Sequence, residues 1–160
     1  MTEKNALQHK ILDGKAIADN MLAAIKKEIA GSGGRKPCLA VVLVGEDPAS
    51  AIYVNRKAKA CLETGFVSLK KMFPAEVGKE ELTEYIISLN ENAQVDGILV
   101  QLPLPPHLDA KEITSLIAPE KDVDGFHPVN LGKLLIEDSS GFVPCTPLGV
   151  KELLTASGID

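Results

Sequence analysis

The longest uninterrupted apolar run in this chain of 160 residues is Cys38-Leu-Ala-Val-Val-Leu-Val44. Pro37 precedes the run and Gly45 follows it, so residues that interrupt regular structure bound it on both sides. A short, continuous and partly β-branched run is typical of a strand that is buried on both of its faces. The run therefore predicts a buried strand of the kind that parallel sheets contain.

Helical and extended patterns alternate on both sides of this run. Apolar residues at helical spacing predict a helix from Asp13 to Ala30, which the sequence Gly31-Ser-Gly-Gly34 ends. The rest of the chain predicts helices over 47–65, 79–90, 109–117, 129–136 and 147–157, and strands over 67–73 and 97–102. We expect Asp47 and Pro48 to start the helix over 47–65 and Gly65 to end it. We expect Thr146 to cap the last helix and Pro147 to occupy its first position. The alternation favours a three-layer α/β/α fold with a mainly parallel sheet.

Composition places the chain among globular domains and excludes several classes of function. Hydrophobic residues make up 45% and charged residues 24%, with a mean hydropathy of +0.08, which is ordinary for a single folded domain. The 17 basic and 22 acidic residues give a net charge of −5. A nucleic-acid partner is not expected, because neutralising phosphates requires an excess of Lys and Arg. The absence of Trp also disfavours a base-stacking surface.

Membrane insertion and secretion are not expected either. An apolar run of seven residues is far shorter than the ~20 that cross a bilayer. The first residues, Met1-Thr-Glu-Lys-Asn5, lack the apolar stretch of a signal peptide. Three cysteines at positions 38, 61 and 145, with no Cys-x-x-Cys spacing, favour reduced thiols in the core of a cytoplasmic protein.

The sequence contains neither a glycine-rich nucleotide loop nor a metal-ligand pattern. The glycine-rich stretch Gly31–Gly34 follows a predicted helix rather than a strand, and only Gly45 follows the first strand. The sequence Asp122-Val-Asp-Gly-Phe-His127 lacks the further acidic positions of a calcium loop. We therefore expect no metal.

The second predicted helix carries a polar row beside its core face. Ser50, Tyr53 and Lys57 are spaced i, i+3, i+7, and they follow the first strand, where ligands of parallel sheets bind. Lys57 is a candidate acid–base group; the alternative is a lysine whose stem lies along the core while its amine reaches water. The pair also matches the Tyr-x-x-x-Lys pattern of short-chain dehydrogenases, which we discount because their glycine-rich loop is missing.

Two further polar residues stand out from their surroundings. Gln101 lies in the otherwise apolar segment Ile98-Leu-Val-Gln-Leu102, where a buried amide must find partners. It can bond a neighbouring backbone group, or it can orient a lysine by accepting its proton. Asp124 precedes Gly125, so it either forms a turn or accepts hydrogen bonds from the paired N–H groups of a ligand.

Taken together, these segments resemble the methylenetetrahydrofolate dehydrogenase/methenyltetrahydrofolate cyclohydrolase family of one-carbon metabolism. Four stretches carry the resemblance in the same order along the chain: Val44–Lys59, Asp96–Pro105, Pro119–Gly125 and Pro144–Pro147. By this resemblance Lys57 is the catalytic lysine, Gln101 positions it, and Tyr53 stacks on the substrate as part of the catalytic set. Asp124 holds the pterin N–H edge, and Ser50, Leu102 and Pro103 complete the substrate pocket.

The resemblance also implies a reaction, cofactors and partners. Members oxidise 5,10-methylenetetrahydrofolate with NADP, sometimes NAD, and hydrolyse the methenyl product to 10-formyltetrahydrofolate; homodimers are common. Residues 1–148 are then the folate-binding catalytic domain, and 149–160 begin an inter-domain helix. The family's Rossmann-type nucleotide domain follows, so we expect this chain to lack it and to have no dehydrogenase activity. The alternatives are a folate-binding module without turnover and a non-enzymatic α/β interaction domain.

Overall fold

The computed structural model describes residues 12–159, which fold into three strands and six helices. The strands are β1 Cys38–Val44, β2 Val67–Phe73 and β3 Gly97–Val100. The helices are α1 Gly14–Gly31, α2 Pro48–Thr64, α3 Lys79–Glu91, α4 Ala110–Thr114, α5 Pro128–Leu135 and α6 Cys145–Ala156. Within this part of the chain, no helix is long and apolar enough to cross a membrane.

The three strands form a parallel sheet in the order β2-β1-β3, with the predicted buried run at its centre. Cys38 pairs with Val67 on one side of β1, and Leu39 pairs with Gly97 on the other. Beyond β3, Ile98 forms an isolated parallel bridge with Asp122, which extends the sheet by one short contact. This bridge ties the segment around Asp122 to the sheet.

Helices cover both faces of the sheet, so the prediction of a three-layer α/β fold is confirmed. One face carries a core that includes Val42 of β1, Ile86 of α3 and Ile113 of α4. On the opposite face, Val41 of β1 and Val54 of α2 belong to a smaller cluster. α1 packs against α2 and α6 on the outside of this second face.

The predicted signals at the ends of α2 are found in the structure. The carboxylate of Asp47 accepts a hydrogen bond of 2.7 Å from the backbone N–H of Ser50, and Pro48 occupies the first turn. Gly65 ends the helix with a φ of 97°, a conformation that costs glycine little. Asp47 and Pro48, which start α2, therefore also place Ser50, the first residue of its polar row.

Several predicted ends are wrong. β3 stops at Val100 rather than at residue 102, although the N–H of Gln101 still donates to Val42 of β1. α4 ends at Thr114: the N–H of Ser115 still donates to Lys111, four residues back, but Leu116 and Ile117 then form tighter i→i−3 hydrogen bonds. α6 begins at Cys145 with Pro144 as its N-cap, so Thr146 does not cap it. The backbone N–H of Cys145 donates to the carbonyl of Asp124, and this distant contact sets the start of α6.

Candidate active site

A cavity of about 660 Å³ lies where α2, the end of β3, the segment after Asp122 and the start of α6 meet. Its walls combine apolar side chains of the sheet with polar side chains of the surrounding segments. The lining residues are Leu39, Tyr53, Lys57, Leu99, Gln101, Leu102, Val123, Asp124, Phe126, Cys145 and Thr146. The cavity therefore brings together five of the predicted site residues: Tyr53, Lys57, Gln101, Leu102 and Asp124.

Lys57 and Gln101 are joined directly. The Nζ of Lys57 donates a hydrogen bond of 3.2 Å to the Oε1 of Gln101. The Nε2 of Gln101 donates in turn to the carbonyl of Leu102 at 2.7 Å, so both ends of the amide are used. Because its own amide is held by the backbone, Gln101 presents a fixed acceptor to the lysine. The sequence left two hydrogen-bond partners open for Gln101, a backbone group and a lysine, and the structure contains both hydrogen bonds.

Asp124 is half-buried and lines the same cavity. Burial raises the pKa of its carboxyl, the nearby Lys57 charge lowers it, and the Asp122 carboxylate raises it; the net direction is upward. A carboxylate removed from water forms stronger hydrogen bonds with a bound N–H group than an exposed one does. Asp124 is therefore suited to accept hydrogen bonds from a ligand that fills the cavity.

Tyr53 and Leu102 present apolar surface to the same space. The Tyr53 side chain is 57% exposed, so one face of its ring is free to contact a flat ligand. Leu102 is also exposed, and it precedes Pro103 through a cis peptide bond. Ser50 is buried in the first turn of α2, and neither Ser50 nor Pro103 is among the lining residues. The roles of all these residues stay predictions.

The cavity also contains residues that sequence reasoning did not assign to it. Cys145 is exposed, so its prediction as a core residue is wrong, whereas Cys38 and Cys61 are buried as expected. Its thiol donates to the carbonyl of Val123 at 3.1 Å, and partial burial raises the pKa of the thiol. The signal in the sequence was its place in the stretch Pro144–Pro147, between two prolines. Thr146 lies in the same stretch, where the sequence predicted a helix cap rather than a cavity residue, and Phe126 carried no such signal.

Comparison with known families shows which family the chain belongs to. Residues 12–124 match the family described as "Tetrahydrofolate dehydrogenase/cyclohydrolase, catalytic domain". This match covers most of the chain and includes Tyr53, Lys57, Gln101 and Asp124. The chain belongs to this family. The resemblance found in the four sequence stretches is thereby confirmed.

Relatives and solved structures of the same family agree with this assignment. The chain is 54% identical over 153 residues to "Bifunctional protein FolD" of Aquifex aeolicus (strain VF5). It is also similar to the bifunctional enzyme FolD, methylenetetrahydrofolate dehydrogenase/cyclohydrolase, from Campylobacter jejuni, with 48% identity and a TM-score of 0.90. A third neighbour is the Trypanosoma brucei enzyme, described as complexed with NADP cofactor and inhibitor, with 40% identity and a TM-score of 0.89.

The matches cover nearly all of this chain and about half of each family member. The match to the Aquifex aeolicus protein includes 94% of this chain and 53% of that protein. For the Campylobacter jejuni structure the shares are 93% and 54%, and for the Trypanosoma brucei structure 93% and 52%. The chain therefore corresponds to the catalytic-domain part of these longer proteins.

Proposed function

We propose that this chain is the folate-binding catalytic part of a bifunctional enzyme of one-carbon metabolism. The enzyme oxidises 5,10-methylenetetrahydrofolate with NADP and hydrolyses the 5,10-methenyl product to 10-formyltetrahydrofolate. One observation carries the proposal: the hydrogen bond between Lys57 and Gln101 lies in a cavity that Tyr53 and Asp124 also line. For the whole enzyme, the family resemblance supports a cytoplasmic homodimer.

Binding is assigned to Tyr53 and Asp124. The exposed ring face of Tyr53 offers a stacking surface for a flat pterin ring. An ionised carboxylate only accepts hydrogen bonds, so Asp124 is matched to the adjacent amino and ring N–H groups of a pterin. With the ring held between these two residues, the one-carbon unit is directed toward Lys57 on the same wall as Tyr53.

Hydrolysis is assigned to Lys57. Water adds to the methenyl carbon and forms a C–O bond; the C–N5 bond then breaks and its electron pair returns to N5. The balance is one water consumed and one proton released, and the oxygen stays on carbon as the N10-formyl group. As the C–O bond forms, the attacking water loses one proton. The neutral amine of Lys57, which donates one N–H to Gln101, accepts this proton and passes it to solvent, and the second water proton ends on N5. Gln101 orients the amine.

In the oxidation step, the residues of this chain serve only to position the folate. A hydride leaves the methylene carbon, and NADP supplies its acceptor when bound. The side chains of this chain hold the folate in place and direct its one-carbon unit toward Lys57. We assign no residue of this chain to the nucleotide.

The test compares two lysines on the same helix. Lys57→Met is expected to lower hydrolysis of 5,10-methenyltetrahydrofolate to the spontaneous rate, since a positioned acid–base group contributes about 10²–10⁴-fold. Lys59→Met is the matched control: Lys59 is exposed and pairs with Glu63. Loss of the methenyl absorbance reports the rate, and titration with 5-formyltetrahydrofolate reports binding.

The outcomes separate the three hypotheses. Hydrolysis that depends on Lys57 and not on Lys59 supports the catalytic domain. Saturable folate binding without any turnover by the wild-type chain indicates a binding module. Wild-type protein that neither binds nor hydrolyses folate contradicts the proposal and leaves the interaction domain.

A further inference from the structure

Two polar side chains are buried directly behind the candidate site. Asp122 is 2% exposed and Asn130, on α5, is 1% exposed. The Oδ2 of Asp122 accepts hydrogen bonds from the Nδ2 of Asn130 at 3.0 Å and from the backbone N–H of His127 at 2.8 Å. A buried carboxylate is costly without such donors, and apolar residues of equal volume often stabilise a core at least as well. The pair is therefore better explained by the geometry that it imposes than by stability.

Asn130 connects the two segments that form one side of the cavity. Its Nδ2 also donates to the carbonyl of Pro119 at 2.9 Å, and its Oδ1 accepts from the backbone N–H of Phe142 at 3.3 Å. The Asn130 side chain therefore bonds both to the segment that leads to Asp122 and to the segment that leads to Cys145. Both segments continue into residues that line the cavity.

Beyond Asn130, the two segments lie in close contact. The N–H of Cys145 donates to the carbonyl of Asp124 at 3.4 Å, and its thiol donates to the carbonyl of Val123. At Gly125, which has a φ of 73°, a Cβ would lie 2.6 Å from the carbonyl carbon of Val143. The backbone that carries Asp124 is therefore held between the Asp122 anchor and the start of α6.

We propose that Asp122 and Asn130 are positioning residues, which hold the Asp124 carboxylate at the folate edge by joining the 119–127 segment to the 142–145 segment. This inference rests on the proposed function for its ligand. Neither side chain lines the cavity, so both act through Asp124 rather than on substrate. A displacement of about 1 Å is enough to weaken a binding group of this kind.

The test includes a readout that does not need folate. Cys145 is the exposed cysteine, and it bonds to the backbone of Val123 and Asp124, so its rate of reaction with iodoacetamide reports the placement of that backbone. Asn130→Ala removes the three side-chain hydrogen bonds that join the two segments, and it is expected to raise this rate about tenfold, equivalent to ~1.4 kcal/mol.

A second side-chain amide, which is half-buried, provides the matched control. Asn90, at the end of α3, donates to the carbonyl of Leu116 and accepts from the N–H of Ala118, so it also joins two segments. Asn90→Ala removes these two hydrogen bonds, where Asn130→Ala removes three, and Asn90 has no hydrogen bond to the Asp124 backbone. It is expected to lower the melting temperature as Asn130→Ala does, and to leave the Cys145 rate and folate affinity unchanged.

Folate binding is the second readout. Asn130→Ala is expected to raise the Kd for 5-formyltetrahydrofolate about tenfold, by displacing Asp124. Asp122→Asn keeps the shape of the side chain and one acceptor oxygen, so it folds and is expected to raise the Kd about threefold, to an intermediate value. This milder variant also tests the inference if Asn130→Ala does not fold.

The results that overturn the inference differ from those that overturn the proposed function. If Asn130→Ala or the milder Asp122→Asn matches Asn90→Ala in Cys145 rate and folate affinity, the pair is structural and the inference is wrong. If wild-type protein binds no folate while Asn130→Ala still accelerates the Cys145 reaction, the two segments are joined as argued and the folate proposal fails instead.

Discussion

The two faces of the sheet are filled to different extents. On the face that α3 and α4 cover, fifteen buried residues form one continuous core. On the face that α2 covers, the buried cluster has four members among residues 12–159: Val41, Leu43, Val54 and Leu99. Leu99 and the adjoining Leu39 also line the cavity. The candidate site therefore occupies space that apolar side chains leave open on the second face.

This difference indicates that the two faces of the sheet have separate roles: one stabilises the fold, and the other carries the candidate site. The filled face supplies most of the apolar burial that stabilises the fold. The open face presents Tyr53, Lys57 and Gln101 on α2 and at the end of β3. Substitutions on the filled face should change stability without changing binding, and substitutions on the open face should do the reverse.

The largest effect is expected on the filled face. Ile86 of α3 is fully buried, so Ile86→Ala is expected to lower the free energy of unfolding by about 3 kcal/mol, from lost burial and the cavity that remains. Urea unfolding followed by circular dichroism measures it. The neighbouring Ile87 is 43% exposed, and Ile87→Ala is expected to cost less than about 1 kcal/mol.

Affinity for folate provides the second half of this test. Below the unfolding transition, Ile86→Ala is expected to bind 5-formyltetrahydrofolate as tightly as wild-type protein does. A large loss of affinity in the folded variant would show that the two faces are coupled, and it would contradict the claim that they have separate roles.

The next effect is expected at Asp124. Asp124→Asn keeps the side-chain volume and removes the charge, and it is expected to weaken folate binding about 30-fold, equivalent to ~2 kcal/mol. Because burial raises the pKa of Asp124, ionising it destabilises the folded state at neutral pH. Asp124→Asn should therefore raise the melting temperature while it lowers affinity. A loss of both stability and affinity would contradict this account of the carboxylate.

The smallest effect is a dependence on pH. The pKa of Asp124 lies above that of an ordinary aspartate, about 3.9, so folate affinity should begin to fall at a higher pH than an exposed carboxylate would give. Only the ionised form accepts both N–H groups, so affinity decreases as the pH is lowered. Asp124→Asn corrects for titration of the ligand itself, and an identical pH profile in that variant would exclude Asp124 as the acceptor.

Most of the fold could be predicted from the sequence, because local signals and tertiary packing agree there. The run Cys38–Val44 is a strand as predicted, and Asp47, Pro48 and Gly65 act at the ends of α2 as expected. The start of α6 was predicted wrongly because a distant contact decides the local structure there. α6 starts at Cys145 because the carbonyl of Asp124 binds its N–H, and no pattern within residues 144–147 shows that contact.

The candidate site was predictable to the extent that its residues look unusual in their own segments. Lys57 beside a core face and Gln101 in an apolar segment are visible in the sequence. Asp122 and Asn130 are not, because their significance lies in a hydrogen bond between two segments and in their burial. Nothing in the spacing of these two residues distinguishes a buried pair from two exposed polar residues.

The central claim is that the cavity beside α2 binds folate through the exposed ring of Tyr53. The most direct measurement is calorimetric titration of 5-formyltetrahydrofolate into wild-type protein, Tyr53→Ala and Ile52→Ala. Ile52 is the adjacent residue, equally exposed and outside the cavity lining. We predict saturable binding to wild-type protein and Ile52→Ala, and about tenfold weaker binding to Tyr53→Ala, because base-like rings gain about 1–3 kcal/mol from stacking on an aromatic side chain. Equal affinity in all three proteins, or no saturable binding to wild-type protein, would contradict the account.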